Sequence, residues 1–413
     1  MRNACSLGAL AAALLLAWGL PAQAQEWTVA SVLRAAALNH PSVKTRQSEL
    51  RAAEFERQGA EWGRYPSLGS ELQAAKGGLQ AVARVQQPLW TGGRIESQID
   101  LTSANVQASR AAVAEAQQNI MLEAATTFFE IQRFEARLLA AQTNESEHRR
   151  LLDIIERRVK AEVSPLTDAT QARARLQQAI SERLQFERQL SSLRLALEQV
   201  VGQPARAISP PRDIRLTMWD NASLMAAAMR HSPERQRLAA QVEAGRAQIV
   251  AAKSVLMPQV ALGYELKLGS LPQGEDRGRL FLGVTMQTGA GLSSLSGVEV
   301  AAARQQAAQD GLEQSRRQLA QAIQTGWSEV NALSAQLQPS RALLAATDEV
   351  VDSYLRQFQV GRKSWLDVLN AQREKTNARY TLADLEGPLL QAKLRLLLLA
   401  GAIHPESMTA IHD

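Results

Sequence analysis

The segment Phe358–Arg379, FQVGRKSWLDVLNAQREKTNAR, decides how this chain is laid out. A long helical pattern runs into it and another runs out. Gly361 suits the left-handed position just past a helix end. Ser364 suits the N-cap of the next helix, and Asp367, three residues on, places a carboxylate at the positive helix end. The reading is a tight helical hairpin. A second copy lies at Val159–Gln178, VKAEVSPLTDATQARARLQQ, where Asp168 aligns with Asp367, Ala172 with Ala371 and Ser164 with Lys363. There the start signal is Ser164 as N-cap followed by Pro165 at the first helical position. Two long hairpins with capped turns predict a rod with a functional tip.

The correspondence extends outward from the hairpins. Asn39-His40-Pro41 matches His231-Ser232-Pro233, Tyr65-Pro66 matches Met257-Pro258, and a longer, constant offset holds from Val85/Val284 to Gly202/Gly401. The change of offset marks a seven-residue insertion in the second copy, placed mostly in the loop around Leu271–Gly278. The chain therefore reads as a tandem duplication. Its parts are a signal peptide (1–24), a first repeat (25–203), a linker (204–218), a second repeat (219–403) and a short tail (404–413). Arg2, the apolar run Leu7–Leu20 and Ala22-Gln23-Ala24 form the secretory signal, so the mature chain is expected to begin at Gln25. The single cysteine, Cys5, leaves with it, which excludes disulfide and thiol chemistry.

Each repeat opens with two helices separated at a proline, then changes to period two. Val260, Leu262, Tyr264, Leu266 and Leu268 alternate with Ala261, Gly263, Glu265 and Lys267. Four strands are expected, at about 65–76, 79–90, 257–268 and 278–288, with a Gly77-Gly78 turn in the first hairpin. Very long helices follow, about Ile95–Glu162 and Ser294–Val360, each spanning roughly 100 Å. Ile323, Val330, Leu337, Leu344, Val351 and Phe358 recur every seven residues, matched by Ala124, Ile131, Leu138, Glu145, Leu152 and Val159. That period predicts coiled-coil packing. Pro339 is expected to kink the second long helix.

No segment past the signal has the apolar run needed for a membrane-spanning helix. The alternating strands have the length of tilted membrane strands, with Trp62, Tyr65 and Trp90 at their ends as an interface belt. The same alternation also fits hairpins in a soluble domain. Spanning strands would require several chains to share one barrel, because four cannot close and an open edge in lipid leaves backbone groups unpaired.

Taken together, the tandem repeat, the four short strands, the long helices and the tip segments resemble the TolC family of outer-membrane channel proteins. Val360–Ala371 is similar to that family's second tip motif and Leu166–Arg173 to its first. The resemblance implies a mainly α fold with a small β part. It implies a homotrimer with a 12-stranded β-barrel in outer-membrane lipid and a long α-helical barrel in the periplasm. It also implies a periplasmic adaptor and an inner-membrane transporter as partners. The tip GRKSWLDVLNAQRE looks most like components of type I systems that export large adhesins, which favours an ABC transporter; drug or metal efflux is the alternative. Family gating positions map to Phe358, Lys363, Asp168 and Asp367, while one family acidic position is Asn370 here. Candidates for adaptor docking are Gly361, Arg362, Ser364, Trp365, Leu366, Ser164, Pro165 and Leu166. Trp365 reads equally as packing or docking, and Asp367 as cap or pore lining.

Other chemistry finds no support. The net charge of +5 is small and interspersed, so nucleic acid is not a partner. His40, His148, His231, His404 and His412 lack metal spacing and read as surface or capping residues. No phosphate-binding glycine pattern follows a strand, no cofactor is implied, and no residue set points to an enzyme. A periplasmic coiled-coil scaffold without a barrel is the remaining non-channel reading.

Overall fold

The computed structural model describes residues 26–75, 78–204, 207–209, 211, 213–216, 218–269, 276–286, 293–403 and 411–412. The signal segment, residues 76–77 of the first strand turn, most of the second strand loop, residues 287–288 and His404 lie outside the described residues.

Helices α1 (Val29–Asn39) and α2 (Pro41–Trp62) meet at His40, whose ring Nδ1 accepts the Ser42 N–H while Pro41 opens α2. Strands β1 (Ser67–Ala75) and β2 (Gly78–Trp90) form a tight hairpin in which Gly78 already pairs with Ala75. Gly78, expected in the turn, is thus already part of β2. Helix α3 (Arg94–Lys160) runs to the first tip, and α4 (Leu166–Val201) returns. The second copy repeats this with α5 (Asn221–His231), α6 (Pro233–Ser254), β4 (Gln259–Gly269), β5 (Gly278–Thr285), α7 (Ser293–Gln359) and α8 (Trp365–Leu399). Between them, β3 (Asp213–Ile214) pairs with β6 (Ile411–His412).

Described residues of the linker and tail thus form a strand pair that the sequence did not indicate. Ile214 is fully buried, Ile208 bridges to Trp27, and the Trp27 N–H donates to Ala207 O at 2.8 Å. Proline-rich composition marked residues 204–218 as a connector, but Ile208, Ile214 and Leu216 plug the core beside α1. That core is centred on Leu33, Phe128, Phe129, Ile131, Leu197 and Leu394.

The four long strands form one antiparallel sheet in the order β1-β2-β4-β5. The two copies thus join through β2 and β4, leaving β1 and β5 as open edges. All five charged residues of these strands, Glu71, Arg84, Glu265, Lys267 and Arg279, fall on one face by register. Leu68, Leu72, Val85, Leu262, Leu268, Leu280, Leu282 and Val284 occupy the other and are exposed. Trp62, Tyr65 and Trp90 are exposed where strands meet helices. This is the division a membrane strand requires. Trp90 lies in β2 beyond a bulge, rather than after the strand.

The helices make a strip of neighbours. Toward the strands its neighbours are α2, α3, α6 and α7; toward the tip they are α4, α3, α8 and α7. Hence α3 and α7, aligned copies of 67 residues each, have different fates. Twenty residues of α3 are buried against eight of α7, because α3 lies inside the strip and α7 at its edge. Helix α7 continues through Pro339 as a single element, and α8 contains a second proline, Pro388, that the sequence pattern did not single out.

The heptad positions face inward in both copies. Ile323, Val330, Val351 and Phe358 are buried, as are Ala124 and Ile131. Glu145, where the second copy has Leu344, is buried too. Its carboxylate takes an Arg183 Nε hydrogen bond at 2.6 Å and an Arg149 Nη2 bond at 2.5 Å. Burial alone would push its pKa up; the Arg183 and Arg149 contacts more than offset this and hold the carboxyl below its ordinary range. The aligned partner of Arg183 is Leu382, so the second copy has two leucines at the positions of this ion pair.

Candidate functional site

The two tips lie at the far end of the strip from the strands. In the second, α7 ends in a Schellman turn. Gly361 has φ +77°, its N–H donates to Phe358 O at 3.1 Å, and the Arg362 N–H donates to Gln357 O at 2.8 Å. Ser364 then caps α8. Its Oγ accepts the Asp367 N–H at 3.2 Å, and Asp367 Oδ2 accepts from Ser364 N at 3.1 Å and from Ser364 Oγ at 2.8 Å. This is a reciprocal capping box. The Ser364 hydroxyl, then its backbone N–H, then the Lys363 charge hold the Asp367 carboxyl below the usual range.

The first tip follows the same backbone path with different residues. Glu162, aligned with Gly361, takes the left-handed conformation at φ +56°. The Val163 N–H donates to Arg158 O at 2.9 Å, so this too is a Schellman turn. The cap differs from expectation. Pro165, not Ser164, is the N-cap, and no side chain caps α4. The Ser164 hydroxyl instead accepts from Arg158 Nε at 3.2 Å. Having no N–H, proline suits the start of a helix, and here the helical backbone begins one residue later.

An apolar seam binds the tips together: Leu151, Ile155, Ala169 and Ala172 from the first hairpin against Phe358, Trp365, Val368 and Leu369 from the second. The Phe358 and Trp365 rings sit 5.3 Å apart, and the Arg158 guanidinium lies 4.8 Å over Phe358. Trp365 is 3 % exposed, so the packing reading holds for it and it offers no docking surface. Phe358 is likewise buried in the seam. Lys363 places its Nζ 4.4 Å over the Tyr354 ring. Asp168, Asp367 and Asn370 are half-buried in the first turns of α4 and α8. Pro165, Leu166, Gly361, Arg362, Ser364 and Leu366 are exposed, joined at the end by Val163 and Val360.

Deeper in the seam lies a polar layer that the sequence pattern did not reveal. Lys375 of α8 is buried between Glu147 of α3 at 3.0 Å and Asp348 of α7 at 2.5 Å. Burial would lower the Lys375 pKa, but the two carboxylates win and raise it. Thr376 Oγ1 donates to Asn144 Oδ1 at 2.8 Å. These residues alternate with apolar ones as any solvated helix face does, so only the helix partners expose their role. His148, read from sequence as surface or capping, is buried instead. Its Nδ1 has no partner, and it borders a cavity of about 130 Å³ with Asn144, Arg175, Glu182, Arg373 and Tyr380. Desolvation depresses its pKa despite the nearby Glu147. Among the described residues, no group of three or more His, Cys, Asp or Glu is placed to hold a metal ion.

The model of the family "Outer membrane efflux protein" matches residues 32–203 and 224–402, one match to each repeat. The chain belongs to this family. These are the TolC-type outer-membrane factors; they are channels rather than enzymes, form homotrimers, and work with an adaptor and an inner-membrane transporter. The chain is accordingly an outer-membrane protein with a long periplasmic helical extension. It is 22 % identical over 335 residues to the outer membrane efflux protein BepC of Brucella suis, covering 79 % of this chain and 72 % of that one. Its fold is similar to that of the outer membrane protein VceC from Vibrio cholerae, with a TM-score of 0.80 at 19 % identity over 90 % of this chain and 96 % of that one. A membrane protein from Pseudomonas aeruginosa gives a TM-score of 0.81 at 17 % identity, covering 92 % of each chain.

Proposed function

We propose that three copies of this chain form a passive exit duct, and that the paired tips form its periplasmic gate and adaptor-docking end. The observation that carries this is the open strip. The β1 and β5 edges expose unpaired backbone groups, and in lipid these find partners only in another copy. Both edges of the strip expose apolar residues: Phe55 of α2 and Val300 of α7 toward the strands, and Leu184 of α4 and Leu343 of α7 toward the tip. Each pair closes when α7 of one copy packs on α2 and α4 of the next. At the tip, Val163, Leu166, Val360 and Leu366 expose apolar surface that an adaptor's helical hairpin would cover.

Three copies of Asp367, and of Asp168, then converge on one narrow mouth and attract multivalent cations. With Asn370 in place of a further acid, the trap is weaker. Planar-bilayer recording of the purified trimer tests this. A trivalent cation added on the tip side is expected to block conductance. Asp367→Ala should relieve that block and Asn370→Asp should strengthen it. Lys363→Ala or Phe358→Ala should raise resting conductance. A detergent-extracted monomer with intact strands would overturn the duct reading.

Two cargoes fit such a duct. The tip GRKSWLDVLNAQRE supports type I secretion of a large adhesin through an ABC transporter, which is the reading we favour. The Brucella relative, named as an efflux protein, supports small-molecule efflux equally well. The transporter selects the cargo, so deletion of the gene decides between them. Loss of a large secreted protein with unchanged drug sensitivity supports secretion; the reverse supports efflux.

A further inference from the structure

The charged face of the strand sheet is not evenly balanced. Glu71 and Lys267 both lie opposite Val82, one acid and one base in a single row. The neighbouring row is Arg84, Glu265 and Arg279, side by side on β2, β4 and β5. Here Arg84 Nη2 donates to Glu265 Oε2 at 2.8 Å. Glu265 is only 8 % exposed, whereas the Arg84 side chain is half exposed and Arg279 is exposed. This row therefore buries its acid and presents its bases, whereas in the other Glu71 is exposed and Lys267 half-buried. The Arg279 guanidinium lies 5.7 Å over the Phe281 ring, which covers Gly263 so closely that a Cβ there would sit 2.3 Å from a ring atom. The aromatic ring thus fixes where the Arg279 cation stands.

We infer that this row, repeated in three copies, forms a cationic ring inside the barrel that binds polyvalent anions and favours acidic cargo at the exit end. The inference rests on the trimeric-duct reading and extends it to cargo charge. The physical reason is the stoichiometry of two guanidinium groups to each carboxylate. In a lumen walled by low-dielectric lipid and protein, the excess charges of three rows act on the same axis. Guanidinium groups pair with phosphate and carboxylate oxygens in a planar, bidentate way that a lysine ammonium does not match. With Asp168 and Asp367 at the proposed mouth, the basic row in the barrel gives the duct opposite charge preferences at its two ends.

The test is one-sided block of the full trimer in a planar bilayer by sodium tripolyphosphate in about 0.1 M salt, within a Debye length of about 10 Å of the ring. Added on the barrel side, tripolyphosphate is expected to reduce current in a voltage-dependent way. Arg279→Gln should weaken the block severalfold, and Arg84→Gln with Arg279→Gln at least about tenfold. Glu265→Gln should tighten it. Arg279 is exposed near the outer end of β5, so Arg279→Gln leaves the sheet intact; an SDS-resistant trimer that still conducts without the anion confirms that for each variant. Equal block in wild type, Arg279→Gln and Glu265→Gln overturns the ring, as does equal block from the tip side. A trimer that carries no current at all would instead overturn the duct reading beneath it.

Discussion

The two tips have the same backbone and different chemistry. In the second, a glycine takes the left-handed position, serine and aspartate cap the helix reciprocally, and Trp365 fills the seam. In the first, Glu162 takes the left-handed position, no side chain caps α4, and Leu166, aligned with Trp365, is 66 % exposed. Three separate stabilising devices are present in one copy and missing in its duplicate. The difference follows from place in the strip. The α8 start of the second tip packs against α3 inside the strip, while the α4 start of the first lies at an edge. A surface held for a neighbour or partner gains little from optimising the isolated chain.

This contrast can be broken by swapping residues between tips. Trp365→Ala removes the largest seam side chain and should cost about 3–5 kcal/mol, read as lost hydrogen-exchange protection along α8 near Ser364. Leu166→Ala should change stability by less than about 0.5 kcal/mol while weakening adaptor binding. Equal loss at both positions would mean that the tips are equally packed. Next in size is the cap. Ser364→Ala should destabilise the second tip by about 1 kcal/mol, and Ser164→Ala by clearly less, since Ser164 accepts only the Arg158 bond.

Backbone conformation gives a smaller effect of opposite sign. Glu162→Gly should stabilise the first tip by about 0.5–1 kcal/mol, and Gly361→Ala should cost the second about 1 kcal/mol. Urea denaturation midpoints or local exchange rates measure both. The smallest effect expected is a pH dependence of the α3–α4–α8 junction. Unfolded histidine takes up a proton as pH falls through about 6.5. Buried His148 resists until lower pH, so the unfolded chain binds more protons in that window and stability falls below about 6.5. Other groups facing this junction are Glu147, Arg175, Glu182, Arg373 and Tyr380. Among them, burial and the Glu182 carboxylate push the Tyr380 phenol up, beyond this pH range. Melting between pH 7.5 and 5 should steepen for wild type and flatten for His148→Gln.

The sheet sharpens the same lesson. Strand alternation left both membrane and soluble hairpins open. The pairing of β2 with β4 resolves it, because it places five charges on one face and the exposed leucines on the other. Gly269 ends β4 and Gly278 opens β5, and the insertion in the second copy is expected between them.

By itself the sequence determined the duplication, the four strands, the long helices and the location of both tips. These depend on local signals: hydrophobic period, caps, glycines and prolines, all of which act within a few residues. Only tertiary structure decided which helix of each copy is inner and which is edge, since α3 and α7 have the same length and period but different neighbours. It also decided that Trp365 packs, that His148 is buried, that Lys375 is held between two carboxylates, and that Arg84 and Arg279 flank one acid. Each of these is a contact between residues far apart in the chain, and burial and charge pairing belong to the contact rather than to either residue.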